Sequence, residues 1–193
     1  MRHYILTPDH PPFGCSSGII MPMDRLKTTA IHEAGHAVAF YRLFGDAARY
    51  GHTLTIKPHE DLLGSHRAEE LVFHGVGELT AEQRLAFENE AIYSCAGYAA
   101  VLAAGYSDEA ALAGCESDFE TAQNVCPVPL KVIKKKAVAL MALSENAAAV
   151  ARVAAELLGQ STLEWDEVEI LIDIADGEAT EQDYQQYQAL KHG

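Results

Sequence analysis

Basic residues are scarce in this chain of 193: 14 Lys and Arg stand against 28 Asp and Glu, a formal net charge of -14 with His neutral. A field of that sign repels phosphate backbones and anionic lipid surfaces, so nucleic acid and membrane surfaces are excluded as expected partners. Cysteines are few and widely spaced, at Cys15, Cys95, Cys115 and Cys126. That usage does not make a disulfide framework and reads as reduced thiols. No basic segment followed by an apolar one opens the chain. The longest apolar stretch, from Ala137, is interrupted by Ser144, Glu145 and Asn146, short of the roughly 20 residues that cross a bilayer. No internal repeat, dividing linker or G-x-x-x-x-G-K-[ST] phosphate loop occurs in these residues. The expectation is a soluble, cytoplasmic protein.

What is present is a globular composition, 49% hydrophobic and 22% charged, at a length that suits one domain burying roughly 70% of its unfolded surface. Residues 1–23, with His10, Pro11, Pro12 and Gly14, have no sustained period and read as an N-terminal arm before a domain over 24–193. From Asp24, the positions Leu26, Ala30, Ile31, Ala34, Val38 and Phe40 recur at helical spacing until Gly45 and Asp46. Thr53 to Lys57 predicts a short strand, ended by Pro58 and paired with Leu63 to His66. Thr80 with Gln83 is a capping-box pair for a helix of about 25 residues ending near Gly105. Ser117 with Glu120 repeats the signature for a shorter helix stopped by Pro127 and Pro129. One long helix is predicted from Leu130 to Leu158 with Gly159 as its cap, then helices over Glu164 to Ile174 and Thr180 to Lys191. The fold class is mainly α with a small β element.

Within the first predicted helix lies His32-Glu33-Ala34-Gly35-His36, an H-E-x-x-H segment. At 1.5 Å rise per residue the two imidazoles stand about 6 Å apart along one face, so both can reach a single metal at roughly 2.0 to 2.1 Å. Zinc held by neutral imidazoles lowers the pKa of its water to about 7, and a neighbouring carboxylate, here Glu33, can accept that proton during attack on a carbonyl. With 9 His and 18 Glu in the chain, chance supplies roughly 0.04 such matches before a helix is required. A catalytic zinc needs a third protein ligand, and Asp118 and Glu90 are the candidates. Asp118 falls in the first turn of its predicted helix beside a loop containing Gly114, a position suited to reaching across to another helix. Glu90 lies deep in the long central helix, where a solvent-facing place beside Glu88 accounts for it.

Several segments together resemble the protease domain of the FtsH family of membrane-bound, ATP-dependent zinc proteases. T-A-I-H-E-A-G-H-A-V-A (Thr29 to Ala39) is similar to that family's metal helix, and T-L-T-I-K-P with L-G-S (Thr53 to Pro58, Leu63 to Ser65) to its short β element. A-G-C-E-S-D-F-E-T-A (Ala113 to Ala122) resembles the segment supplying its third ligand, and S-T-L-E-W-D-E-V-E-I-L-I (Ser161 to Ile172) its closing helix. The resemblance spans roughly residues 27–176. It implies His32, His36 and Asp118 as zinc ligands, Glu33 as catalytic base, and a metalloendopeptidase without its own ATPase acting on polypeptide. Where the family carries G-G-R-A-A-E-E, this chain has A-G-Y-A-A-V-L (Ala96 to Leu102), a loss of charge that bears on subunit contacts. A homo-oligomer or a separate ATPase partner is the corresponding expectation, and a metal-holding protein-interaction module, or an inactive relative acting as a partner of a separate ATPase, is the alternative function.

The remaining features carry blander expectations. His52, His59, His66 and His74 flank the β element as solvated loop residues, and Cys115, although near Asp118, reads as a small buried hydrophobe. Lys134, Lys135 and Lys136 read as a solvated helix face. Tyr93, Tyr98 and Tyr106 read as core residues with hydroxyls at the surface. Cys15, in the arm, is placed to cap the zinc as an inhibitory thiolate, and Cys115 to coordinate metal beside Asp118, as secondary alternatives.

Overall fold

The computed structural model describes residues 22–45, 53–57, 65–66 and 79–192. Helix α1, Pro22–Phe44, carries Asp24 in its first turn and Arg42 in its last, charges that complement the helix dipole. It ends where Gly45 takes a positive φ of 56°. It begins two residues earlier than the pattern predicts, so Pro22 and Met23 belong to the helix; the rest of the predicted arm lies outside the described residues.

Three short strands follow one another in space as β2-β1-β3. Strand β1 (Thr53–Thr55) pairs antiparallel with β2 (Ser65–His66), as the sequence predicts. Its other edge pairs with β3 (Thr162–Glu164), which the sequence reading assigns to a helical approach. The β1 strand is therefore central, with both edges occupied.

Thr80 and Gln83 form the predicted capping box, with each backbone N–H bonded to the other's side chain at 2.9 and 3.1 Å. The helix they start is not continuous: α2 (Ala81–Ser94) and α3 (Ala96–Ala103) meet at Cys95. Just before the break the Ser94 hydroxyl donates to the Glu90 carbonyl at 2.9 Å, a back-bond of the kind that bends helices. A short helix α4, Asp108–Leu112, capped by Ser107, was not predicted. Helix α5 spans Glu116–Val125 and starts one residue before Ser117; its N-cap is Cys115, and the Ser117 and Glu120 box does not form.

The single helix predicted from Leu130 to Leu158 is two, α6 (Leu130–Met141) and α7 (Ser144–Gln160), bent by 82°. Asn146, 2% exposed, explains the corner: its amide donates to the Leu140 carbonyl at 2.8 Å, and its oxygen accepts from Arg42 Nε at 2.8 Å. The left-handed cap of α7 is Ser161 (φ 67°), two residues beyond Gly159. The Ser161 carbonyl accepts from Ile56 N at 2.9 Å and Thr55 Oγ1 at 3.1 Å, which fixes the helix end to β1. Helix α8, Trp165–Asp176, ends at Gly177, and α9 covers Glu181–His192. Glu167, fully buried, accepts from Lys191 Nζ at 2.7 Å, from Gln188 and from Glu164 N, which pins α9 to α8. The protein is mainly α with a small β element, and among the described residues no single helix is long and apolar enough to cross a membrane.

Helix α1 is the spine of the core. Ala30, Ala34, Ala37 and Val38 are fully buried on it, and α3 and α7 pack along its length. The approach to α3 is close enough that a Cβ on Gly35 would meet Ala100 Cβ at 2.5 Å and the Ala96 carbonyl oxygen at 2.8 Å. Gly35→Ala is therefore expected to cost about 1 to 3 kcal/mol in denaturant unfolding, because two backbones have to separate. Gly159→Ala, at a helical position with nothing within 4 Å, is expected to gain up to about 1 kcal/mol in the same measurement.

Candidate metal centre

His32 and His36, one helical turn apart on α1, turn their rings toward each other with centroids 4.8 Å apart and Nε2 atoms 3.1 Å apart. The first turn of α5 brings Asp118 Oδ2 to 3.1 Å from His32 Nε2 and 3.4 Å from His36 Nε2. Three potential ligand atoms thus form a nearly equilateral triangle. Ligands bound tetrahedrally at 2.0 to 2.1 Å have mutual separations of about 3.3 to 3.4 Å. The triangle matches that edge length.

Asp118 Oδ2 is buried and accepts no properly aligned hydrogen bond from the described residues. The imidazole nitrogens are close but out of line for donation. An unsatisfied buried acceptor costs about 1 to 3 kcal/mol, more for a charged group. A cation at the centre of the triangle would remove that cost. The electrostatics point the same way. Burial alone would raise the Asp118 pKa, but His32 and His36 together outweigh it and hold the carboxyl well below the usual carboxylate range. Burial works against a charged His36, and the carboxylates of Asp118 and Glu33 overcome it, so its pKa rises. This pocket favours positive charge.

The orientation of each imidazole follows from what stands behind it. His36 Nδ1 lies 3.0 Å from the Tyr93 carbonyl oxygen. As donor there it leaves the Nε2 lone pair facing the triangle, the outer-shell arrangement that fixes a ligand's tautomer. The Tyr93 ring adds an edge contact to His36 with centroids 5.4 Å apart. His32 Nδ1 faces Cys115 Sγ at 3.9 Å, and the thiol donates to the Ala111 carbonyl at 3.0 Å. Against the face of the His32 ring lies Gly97, where a Cβ would stand 2.6 Å from ring atoms. Only glycine leaves room for that ring.

Glu33 is 6% exposed and senses the charges of both histidines and Asp118. Burial raises its pKa, and the nearby His36 and His32 only partly oppose the rise. A carboxylate moved up toward the working pH is suited to take and return a proton. Cys115 beside His32 invites comparison with a thiol-imidazole nucleophile, but it is fully buried, and burial, then the Asp118 charge, pushes its thiol up to about 12. It is a neutral thiol rather than a nucleophile.

The structure brings His32, His36 and Asp118 together and keeps Glu33 beside them. Glu90 does not belong to that donor group. It is also 5% exposed, so the solvent-facing position predicted for it is wrong. Lys134 differs as well: its Nζ stands over the Tyr98 ring at 3.9 Å and the Phe119 ring at 4.4 Å, while Lys136 pairs with Glu88. Tyr98, 7% exposed, directs its hydroxyl to Asp108 at 2.8 Å. His52, His59, His74 and Cys15 lie outside the described residues, and His66 is described only as part of β2. The Tyr93 carbonyl carries no sequence signal. Gly97 is visible as a lone glycine in an alanine-rich helix, but its purpose is not.

Wild-type protein titrated with zinc is expected to take up one ion per chain, and Asp118→Ala to bind it more than about 100-fold more weakly. Glu90→Gln should keep the stoichiometry of one, as read by competition with a chromophoric chelator. No protein-family model matches this sequence and no curated protein matches it, so the functional reading rests on this geometry and the motifs that encode it.

Proposed function

We propose that the chain is a zinc-dependent endopeptidase of the FtsH type, acting on polypeptide in extended or unfolded form. The observation that carries the reading is the triangle of His32 Nε2, His36 Nε2 and Asp118 Oδ2, with sides of 3.1 to 3.4 Å and, at one corner, a buried oxygen with no aligned donor among the described residues. These three residues would hold the ion. Zinc bound there supplies a Lewis acid and a water of lowered pKa, with a fourth position left open.

Glu33, next to His32 in the chain and buried with the ligands, accepts the proton of the attacking water and returns it to the leaving amine nitrogen. Asp118 would contribute a negative charge that offsets part of the ion's positive charge, which two neutral imidazoles leave untouched. The Tyr93 carbonyl holds His36 in its ligating tautomer. Substrate does not add to β1 by backbone pairing, because β2 and β3 occupy both of its edges.

These 193 residues contain no phosphate loop, so unfolding is not powered from within them, and peptides or unfolded segments are the proposed substrates. Assembly with further copies or with a separate ATPase is part of the same proposal. The free thiols of Cys95, Cys115 and Cys126 are in keeping with a reducing, cytoplasmic setting.

Glu33→Gln fills the same volume without a proton-accepting carboxylate. It is expected to keep one zinc per chain and to lower turnover of an unstructured, fluorogenic polypeptide by about 100-fold or more. Wild-type turnover should be abolished by a chelator, restored by zinc and indifferent to ATP. Undiminished turnover in Glu33→Gln removes the base assignment; zinc uptake without any turnover in the wild type favours the metal-holding interaction module.

A further inference from the structure

A cation stands one layer behind the proposed ligand Asp118. Lys134, on α6, holds its Nζ 3.9 Å from the centre of the Tyr98 ring and 4.4 Å from that of the Phe119 ring. The two rings meet edge to face, 5.6 Å apart with an interplanar angle of 74°, so the ammonium fills the notch between them. Tyr98 follows Gly97, the residue against the His32 ring, and Phe119 follows Asp118. Successive residues of a helix point about 100° apart, so each ring sits on a different face of its helix from the residue that serves the site. Helices α3 and α5 are thus joined behind the site by a side chain from a third helix.

The start of α5 has little else of its own to fix it. Its N-cap, Cys115, makes no side-chain capping bond. The Tyr98 ring, by contrast, is an anchored surface: it is 7% exposed and its hydroxyl donates to Asp108 at 2.8 Å. A cation on an aromatic face is held most strongly where water is excluded.

We infer that Lys134 is a positioning residue for the metal centre: by gripping the Tyr98 and Phe119 rings together it sets the first turn of α5, and with it the distance of Asp118 Oδ2 from His32 and His36. The inference rests on the proposed metal site for its purpose, while the placement of α5 can be read without metal. The two effects of this lysine have opposite signs. As a charge it repels an ion held by Asp118, so its removal alone would tighten binding. As a clamp it keeps the ligand within reach, so its removal weakens binding.

The test compares three variants. Lys134→Met keeps the aliphatic stem and loses the charge, Lys134→Arg keeps a cation able to lie on aromatic faces, and Lys135→Met makes the same change of net charge at the neighbouring exposed lysine. Zinc dissociation constants from chelator competition are expected to rise about 10-fold or more in Lys134→Met, the usual scale for losing an outer-shell partner. They should stay within a few-fold of wild type in Lys134→Arg and Lys135→Met. Metal-free crystal structures are expected to show Asp118 drawn away from His32 and His36 in Lys134→Met and in its wild-type place in Lys134→Arg. Far-ultraviolet circular dichroism establishes that each variant keeps its helices; if Lys134→Met does not, Phe119→Leu, which leaves the lysine and removes one of its rings, takes its place with the same two readings.

A folded Lys134→Met that binds zinc as tightly as wild type, or more tightly, would overturn the inference. So would an equal weakening in Lys135→Met, or an unmoved Asp118 in metal-free Lys134→Met. If the wild type takes up no zinc, the metal reading fails and the metal-free structures decide alone: a displaced Asp118 upholds the placement by Lys134, and an unmoved one ends it.

Discussion

The contact on which the site depends is the close approach of α1 to α3, made possible by two glycines that face opposite ways across it. Gly35 on α1 lies against Ala96 and Ala100, and Gly97 on α3 lies against the His32 ring. Each removes a Cβ where the other helix needs the space. Because both contacts belong to one interface, the separation that packs the alanine core also sets the depth at which His32 sits. His36 follows one turn later, with its Nδ1 on the carbonyl of Tyr93 just before the α2 to α3 break. The two sides of the break at Cys95 serve different histidines, Tyr93 at the end of α2 meeting His36 and Gly97 at the start of α3 meeting His32.

The buried acids show how differently a negative charge can be settled in one protein. Glu167 is surrounded by donors from Lys191, Gln188 and the Glu164 backbone; it is a tie between helices, and its charge is balanced within the fold. Asp118 is placed against two nitrogens and given no aligned donor. In a chain already at net charge -14, a buried carboxylate oxygen whose neighbours are two imidazoles and no aligned donor among the described residues is a place where a cation is welcome. This contrast, more than the motif alone, separates a ligand-like carboxylate from a structural one. Glu33, buried beside the same charges, has its pKa raised by burial, which His36 and His32 only partly oppose.

The proposed likeness to FtsH-type proteases rests on short segments, and in two of them the structure shows what individual residues do. H-E-A-G-H holds both histidines and, at Gly35, the glycine that admits α3. The segment Ala96 to Leu102, which departs from the family pattern in charge, still carries a glycine at Gly97, the position beneath His32. Its apolar remainder is accounted for by burial, since Ala99, Ala100 and Val101 belong to the core. Replacing charge with alanine and valine there serves packing within this chain.

Local sequence determined whatever depends on near neighbours. The period of α1, the Thr80 and Gln83 box and the facing of His32 and His36 all involve residues a few positions apart, where propensity and geometry suffice. The place of Asp118 in the first turn of its helix was legible locally as well, whereas its approach to His32 and His36 is a matter of how α5 packs. Tertiary structure alone decided the interruptions and the second layer of the site. The corner between α6 and α7 exists because Asn146 can bond Leu140 and Arg42 at once, and Ser161 takes a left-handed cap because its carbonyl is claimed by β1. The atoms behind the histidines, a carbonyl 57 residues from His36 and a thiol 83 residues from His32, are chosen by how helices pack. No periodicity or short motif encodes a contact over that separation.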